Sequence, residues 1–234
     1  MKRLSLIDPK GLDRLLLRNP AGYRSGFWAS FVLDDLVHHV QSTEERIIRI
    51  RRNEMKGQTL RVDLDLTPVG FSKPMLRFSI ALWSYNKPTI IIRHTTKNIG
   101  DMEVEDMKVY NFMDFDLGGP RSYKDDRGQY DPDSGTMMIW DDNPLYVGMS
   151  SIKQPDSWEI SPPAKLKVED ARRDLRRNLK MGPKDIASAL QWNLGNLGSG
   201  EEVSVELLMS AGISKEKVLE GLSKGKNLFG KKLR

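Results

Sequence analysis

Thr59-Leu60-Arg61-Val62-Asp63-Leu64-Asp65-Leu66 decides the fold. Leu60, Val62, Leu64 and Leu66 fall on one side of an extended chain, and Thr59, Arg61, Asp63 and Asp65 fall on the other. A two-residue period is that of a strand with one buried and one wet face; on a helix the same leucines would scatter around the axis. Upstream, Ile48 and Ile50 alternate with Arg49 and Arg51, and the turn-forming run 53–57 predicts a hairpin between the two strands.

The same rhythm continues downstream. Leu76, Phe78, Ile80 and Leu82 form the apolar face of a strand over Met75–Trp83, and Asn86-Lys87-Pro88 turns the chain into the β-branched run Thr89–Thr96. Further strands are predicted over Glu103–Phe112, Thr136–Trp140 and Leu145–Met149. Leu190, Trp192 and Leu194, followed by a glycine-rich turn and by Val203, Val205, Leu207 and Met209, predict a closing hairpin. Roughly ten strands without strand-to-helix alternation specify an all-β chain, a two-sheet antiparallel β-sandwich.

Short helices are expected near both termini. Asp8-Pro9 reads as an N-cap and first helical residue ahead of Leu12–Leu17. Ser214 reads as the cap of a second helix, with Ile213 stapled on Val218 and with Gly221 and Gly225 ending it. Residues 26–40 fit a helix or a buried strand equally. Within 162–184, Val168–Leu179 reads as a charged helix or a connection. One domain over 1–223 is expected, with a basic tail over 224–234.

Composition narrows the function classes. The chain has 234 residues, 38% of them hydrophobic, and no cysteine, which excludes disulfides, zinc–thiolate sites and thiol nucleophiles and makes the cytoplasm the expected location. No apolar run reaches membrane-spanning length. The net charge of +5 sits in one place: 215–234 holds seven Lys or Arg against Glu216 and Glu220, leaving the remainder balanced. Nucleic-acid binding is therefore expected only through the basic tail. Phosphate cradles, P-loops and nucleophile elbows are missing from the sequence.

Arg93, His94, Lys97-Asn98, Tyr110 and the run Phe112-Met113-Asp114-Phe115-Asp116-Leu117-Gly118-Gly119 resemble the large β-sandwich domains attached to glucoamylase-type and glucodextranase-type glycoside hydrolases. Those domains belong to the galactose-mutarotase-like, or supersandwich, class. Scattered matches continue through Tyr130-Asp131, Val147-Gly148, Trp158 and Leu190–Gly195. The resemblance implies a sandwich and saccharide contact. Mutarotases pair two histidines with a glutamate for acid–base work, whereas this chain has only His38, His39 and His94, and the helical catalytic barrel of the hydrolases has no counterpart here.

The acidic, aromatic stretch 114–133 is the candidate site. It gathers Asp114, Asp116, Asp125, Asp126, Asp131 and Asp133 with Tyr123 and Tyr130. Carboxylates accept hydroxyl protons from a sugar or ligate calcium, and tyrosine rings stack on sugar faces; the same aspartates also cap loops. Asp131–Gly135 lacks the closing glutamate of an EF-hand, so an irregular cation site is the only metal reading, with no ligand set fixed. Trp192 and Trp140 read as core. Trp83 has the opposite parity from Leu82 and is expected to face a ligand or partner. The expected ligand-binding residues are thus Trp83, Asp114, Asp116, Tyr123 and Tyr130, without catalytic residues or a cofactor. The expectation is a non-catalytic protein that recognises a saccharide or serves as a structural and interaction module for a protein partner. The alternative is a sugar epimerase using Asp114, Asp116 and His94.

Overall fold

The computed structural model describes residues 3–18, 25–41, 46–84, 87–119, 122, 124–166 and 173–232. Thr59–Leu66 is strand β6, between β5 (Ile48–Lys56) and β7 (Leu76–Ser84), and β7 pairs with β8 (Thr89–Asn98). Before them come β1 (Arg3–Ile7), β2 (Asp13–Arg18), β3 (Gly26–Leu33) and β4 (Leu36–Val40). After them come β9 (Val104–Met113), β10 (Arg127–Asp131), β11 (Thr136–Trp140), β12 (Tyr146–Ser151) and β13 (Ser157–Ser161). The two-residue β14 (Lys180–Met181), β15 (Ala187–Leu197), β16 (Glu202–Gly212) and helix α1 (Lys215–Lys232) complete the order.

Two antiparallel sheets face each other. The larger has nine strands in the order β14-β10-β11-β12-β16-β8-β7-β6-β5, and the smaller has five, β13-β15-β9-β3-β4. Alternation fills the space between them: Phe78, Ile92, Leu207 and Met149 from the large sheet meet Phe31, Val109, Leu190 and Trp192 from the small one in one continuous cluster. The opposite face of the large sheet carries Ile91, Met138 and Leu208, which α1 covers with Val218, Leu222 and Phe229. The outer face of the small sheet carries Trp28, Tyr110 and Phe112, covered by Leu166 and Leu175.

Three expectations change, and the open segment 26–40 resolves as strand. Leu12 leads into strand β2, which holds Asp13–Leu17: Asp8 Oδ1 accepts the amides of Lys10 (2.8 Å) and Leu12 (3.0 Å), and Gly11 takes φ 79°, so Asp8–Gly11 turns a β1–β2 hairpin instead of capping a helix. Residues 26–40 are the β3–β4 hairpin, closed by Asp34 and Asp35, both at positive φ (53° and 58°), as a two-residue turn of the primed type requires.

The closing strands do not pair with each other. β15 belongs to the small sheet and β16 to the large one, so 198–201 crosses between layers. Fully buried Asn98 pins that crossing, donating to the carbonyls of Leu197 (2.8 Å) and Met102 (2.7 Å) and accepting the Gly100 amide (2.9 Å). Finally, α1 runs through Gly221 and Gly225. A Cβ at Gly221 would overlap Ser210 Oγ, and one at Gly225 would lie 2.5 Å from Leu208 Cδ2, so these glycines seat the helix on the sheet. Residues 224–232 accordingly belong to α1.

Residues 173–179 form neither helix nor strand, with Arg177 at φ 57°; 167–172 lie outside the described residues. The segment is tied down by Gln191, whose side chain accepts the Leu175 amide (2.9 Å) and donates to Asp174 (2.6 Å). No helix among the described residues is long and apolar enough to cross a membrane.

Candidate functional site

Asp114 and Asp116 follow directly on β9, and Asp185 directly precedes β15. Ser188 pairs with Met113 at the end of the β9–β15 ladder, and continuing that antiparallel register sets Asp185 opposite Asp116. One oxygen from each of Asp114, Asp116 and Asp185 lies within 4.8 Å of the other two, and all three residues are half-buried. Burial raises the Asp185 carboxyl above its ordinary range.

A deeper acidic layer adjoins this trio. Asp126 is fully buried and neither of its carboxyl oxygens completes a hydrogen bond of normal geometry. Desolvation pushes it up to about 9, helped by the charges of Asp141, Asp116 and Asp125 and opposed by the nearby Leu117 amide. Asp141, 3% exposed, is raised chiefly by burial. Ser122 Oγ bridges Asp125 (3.1 Å) and Asp141 (3.2 Å). The amide of Lys184 donates to the Asp126 carbonyl (3.1 Å), tying the Asp185 loop to this layer.

The other predicted residues are spread out. Tyr130 is 2% exposed with its ring stacked on Trp158 at 3.9 Å, so its face is spent inside the sandwich; burial raises its hydroxyl to about 12. Trp83 does lie on the face opposite Leu82, where it packs half-buried against the cluster that α1 covers, beside its ladder partner Ile91. Tyr123 lies outside the described residues. Asp131 caps its own turn, accepting from the Asp133 amide (3.1 Å) and Ser134 Oγ (2.7 Å).

His94 sits on the inner face of β8, stacked on Phe27 (centroids 4.5 Å) and tilted against Phe78 (5.4 Å). Complete desolvation drives it down to about 3, so at neutral pH it is an uncharged ring. The adjoining cavity, lined by Phe27, Leu64 and Phe78 among others, measures about 30 Å³, room for water and not for a sugar ring. Proton exchange with a substrate has no route there.

The sequence reading missed a groove of about 820 Å³ between the β1–β2 hairpin and α1. Ile7, Pro9, Pro88 and Ile213 line it with aliphatic surface, and Lys87 and Lys217 bring charge. Its walls come from three distant stretches of chain, and Asp8-Pro9 on its rim was read as the start of a helix, so no spacing in the sequence pointed to it. Asp185 was missed for a similar reason: only the β9–β15 register brings it to Asp116.

No protein-family model matches the sequence, and no curated protein is similar to it. Solved structures are. A bacterial glucoamylase complexed with acarbose superposes on 86% of this chain with a TM-score of 0.64 at 13% identity, and the chain spans 28% of that enzyme. A GalM/aldose epimerase homologue from C. elegans superposes on 92% of this chain and 93% of its own, with a TM-score of 0.60 at 10% identity. The fold is galactose-mutarotase-like. At such identities the likeness speaks for the architecture: a galactose-mutarotase-like sandwich can carry different chemistry or none, and what it does is set by its surface sites.

Proposed function

We propose that the protein is a non-catalytic galactose-mutarotase-like sandwich that recognises carbohydrate, with the ligand seated in the groove between the β1–β2 hairpin and α1. The groove itself carries this reading. At about 820 Å³ it falls within the range of small-molecule sites, and it pairs aliphatic walls for a sugar's ring face with charged side chains for its hydroxyls. Asp8 on its rim is held in place by the Lys10 and Leu12 amides and by Arg14 (3.6 Å), so that wall is preorganised. The epimerase alternative through Asp114, Asp116 and His94 needs a titrating histidine open to substrate, and His94 is sealed between two phenylalanines.

A glycan array probed with the wild-type chain and with the Lys87→Ala/Lys217→Ala double variant tests the proposal. The expected result is a wild-type signal that falls about tenfold or more in the double variant, the loss of roughly one charged contact. Binding that survives the double variant but is lost in Asp116→Ala would move the seat to the carboxylates. A wild-type chain that binds no glycan would remove the saccharide reading.

A further inference from the structure

The geometry points to a calcium-class cation site at the Asp114–Asp116–Asp185 trio, formed where the β9–β15 ladder opens. Oxygens bound to one calcium ion at about 2.4 Å can stand at most about 4.8 Å apart, and the three carboxylates already offer one oxygen each inside that limit. Every donor is an oxygen, which selects hard ions such as calcium, magnesium or manganese over zinc or copper. Three carboxylates from two chain segments form no regular octahedral cage, and calcium tolerates irregular coordination better than magnesium does.

A second observation is independent of the trio. Asp126 is fully buried, neither of its carboxyl oxygens completes a hydrogen bond of normal geometry although the Leu117 amide lies nearby, and Oδ1 of nearly buried Asp141 lacks a partner. Asp126 lies near enough to Asp116 for their charges to repel, and its carbonyl holds the loop that carries Asp185. Buried polar groups in folded proteins are nearly always satisfied, so an orphaned carboxyl behind a carboxylate trio marks where positive charge belongs. A cation at the mouth would join the ends of β9 and β15 and offset the acidic layer behind them. This inference is independent of the saccharide reading.

The test begins with protein dialysed against EDTA and then titrated with CaCl2, MgCl2 or MnCl2, read by calorimetry and by thermal unfolding. The expected result is saturable one-to-one calcium binding, a higher Tm with calcium, and a weaker response to magnesium. Asp185→Asn and Asp116→Asn should each weaken calcium binding by about tenfold or more, as loss of one charged ligand does. Each removes a repelling charge, so the ion-free variants should melt no lower than the ion-free wild type, which separates a lost ligand from a damaged fold. Absence of heat and of any Tm change up to about 10 mM calcium, beyond the weakest ordinary protein sites, would overturn the proposal. So would an unchanged calcium response in both variants.

Discussion

His94 joins a sequence resemblance to a structural answer. In β8 it shares the inner face with Ile92 and Thr96, confined there between Phe27 and Phe78. Its ionisation drops to about 3 from an ordinary value of 6.5, so between those limits the unfolded chain binds the proton and the folded chain does not. Stability contributed at this position is therefore complete above pH 6.5 and drains away as the solution is acidified. At pH 5 the loss should be about 2 kcal/mol relative to pH 7.5. In His94→Leu, which fits an aromatic cage without a titrating group, urea unfolding at the two pH values should show that much less acid sensitivity. Equal acid sensitivity in both proteins would mean that the ring is protonated in the fold.

At the scale of elements, period-two patterning was enough wherever a strand has one wet face. β5, β6, β7 and β8 lie where Ile48, Leu64, Phe78 and Ile92 placed them. It fell short where both faces are covered. β3 has Trp28 outside, stacked on Phe112 of β9, and Phe31 inside, so its run 26–33 is apolar apart from Ser30 and carries no period to separate strand from helix. Glycine misled for a related reason. In α1, Gly221 and Gly225 are contact residues where the helix touches β16 and β8, and helix propensity alone marks them as breaks. Gly221→Val would force a side chain into Ser210 and Thr89, so it should destabilise the protein by about 1–3 kcal/mol in urea unfolding although valine is the better helix former. A neutral or stabilising outcome would show that the helix sits farther from the sheet.

For the molecule as a whole, the two-layer plan was legible and the path of the chain between layers was not. Leu190–Leu194 and Val203–Met209 look like the two arms of one hairpin because each alternates and a glycine-rich turn separates them. Asn98 holds the crossing between the sheets, its side chain bonded to Leu197, Met102 and Gly100, and no local pattern marks an asparagine 99 residues away as that clasp. Asn98→Ala removes the buried bond to the Leu197 carbonyl and those to the Met102 carbonyl and the Gly100 amide, which keeps only its bond to the Met75 carbonyl (3.2 Å). It should cost about 2–3 kcal/mol, read as a lowered denaturation midpoint with an unchanged slope. The two candidate binding features share this origin: the groove and the carboxylate trio are assembled from segments far apart in sequence, and only the assembled sheets bring them together.

β16 occupies the middle of the nine-stranded sheet, hydrogen-bonded to β8 on one side and β12 on the other. Until it inserts, β5–β8 and β10–β12 are separate meanders, each ending in a bare edge, and closing β16 onto β8 must bring together residues more than a hundred positions apart. Such distant closure is slow compared with the neighbouring hairpins. The late arrival of one central strand therefore makes the half-assembled chain the state in which it is most exposed to sticking to its own copies.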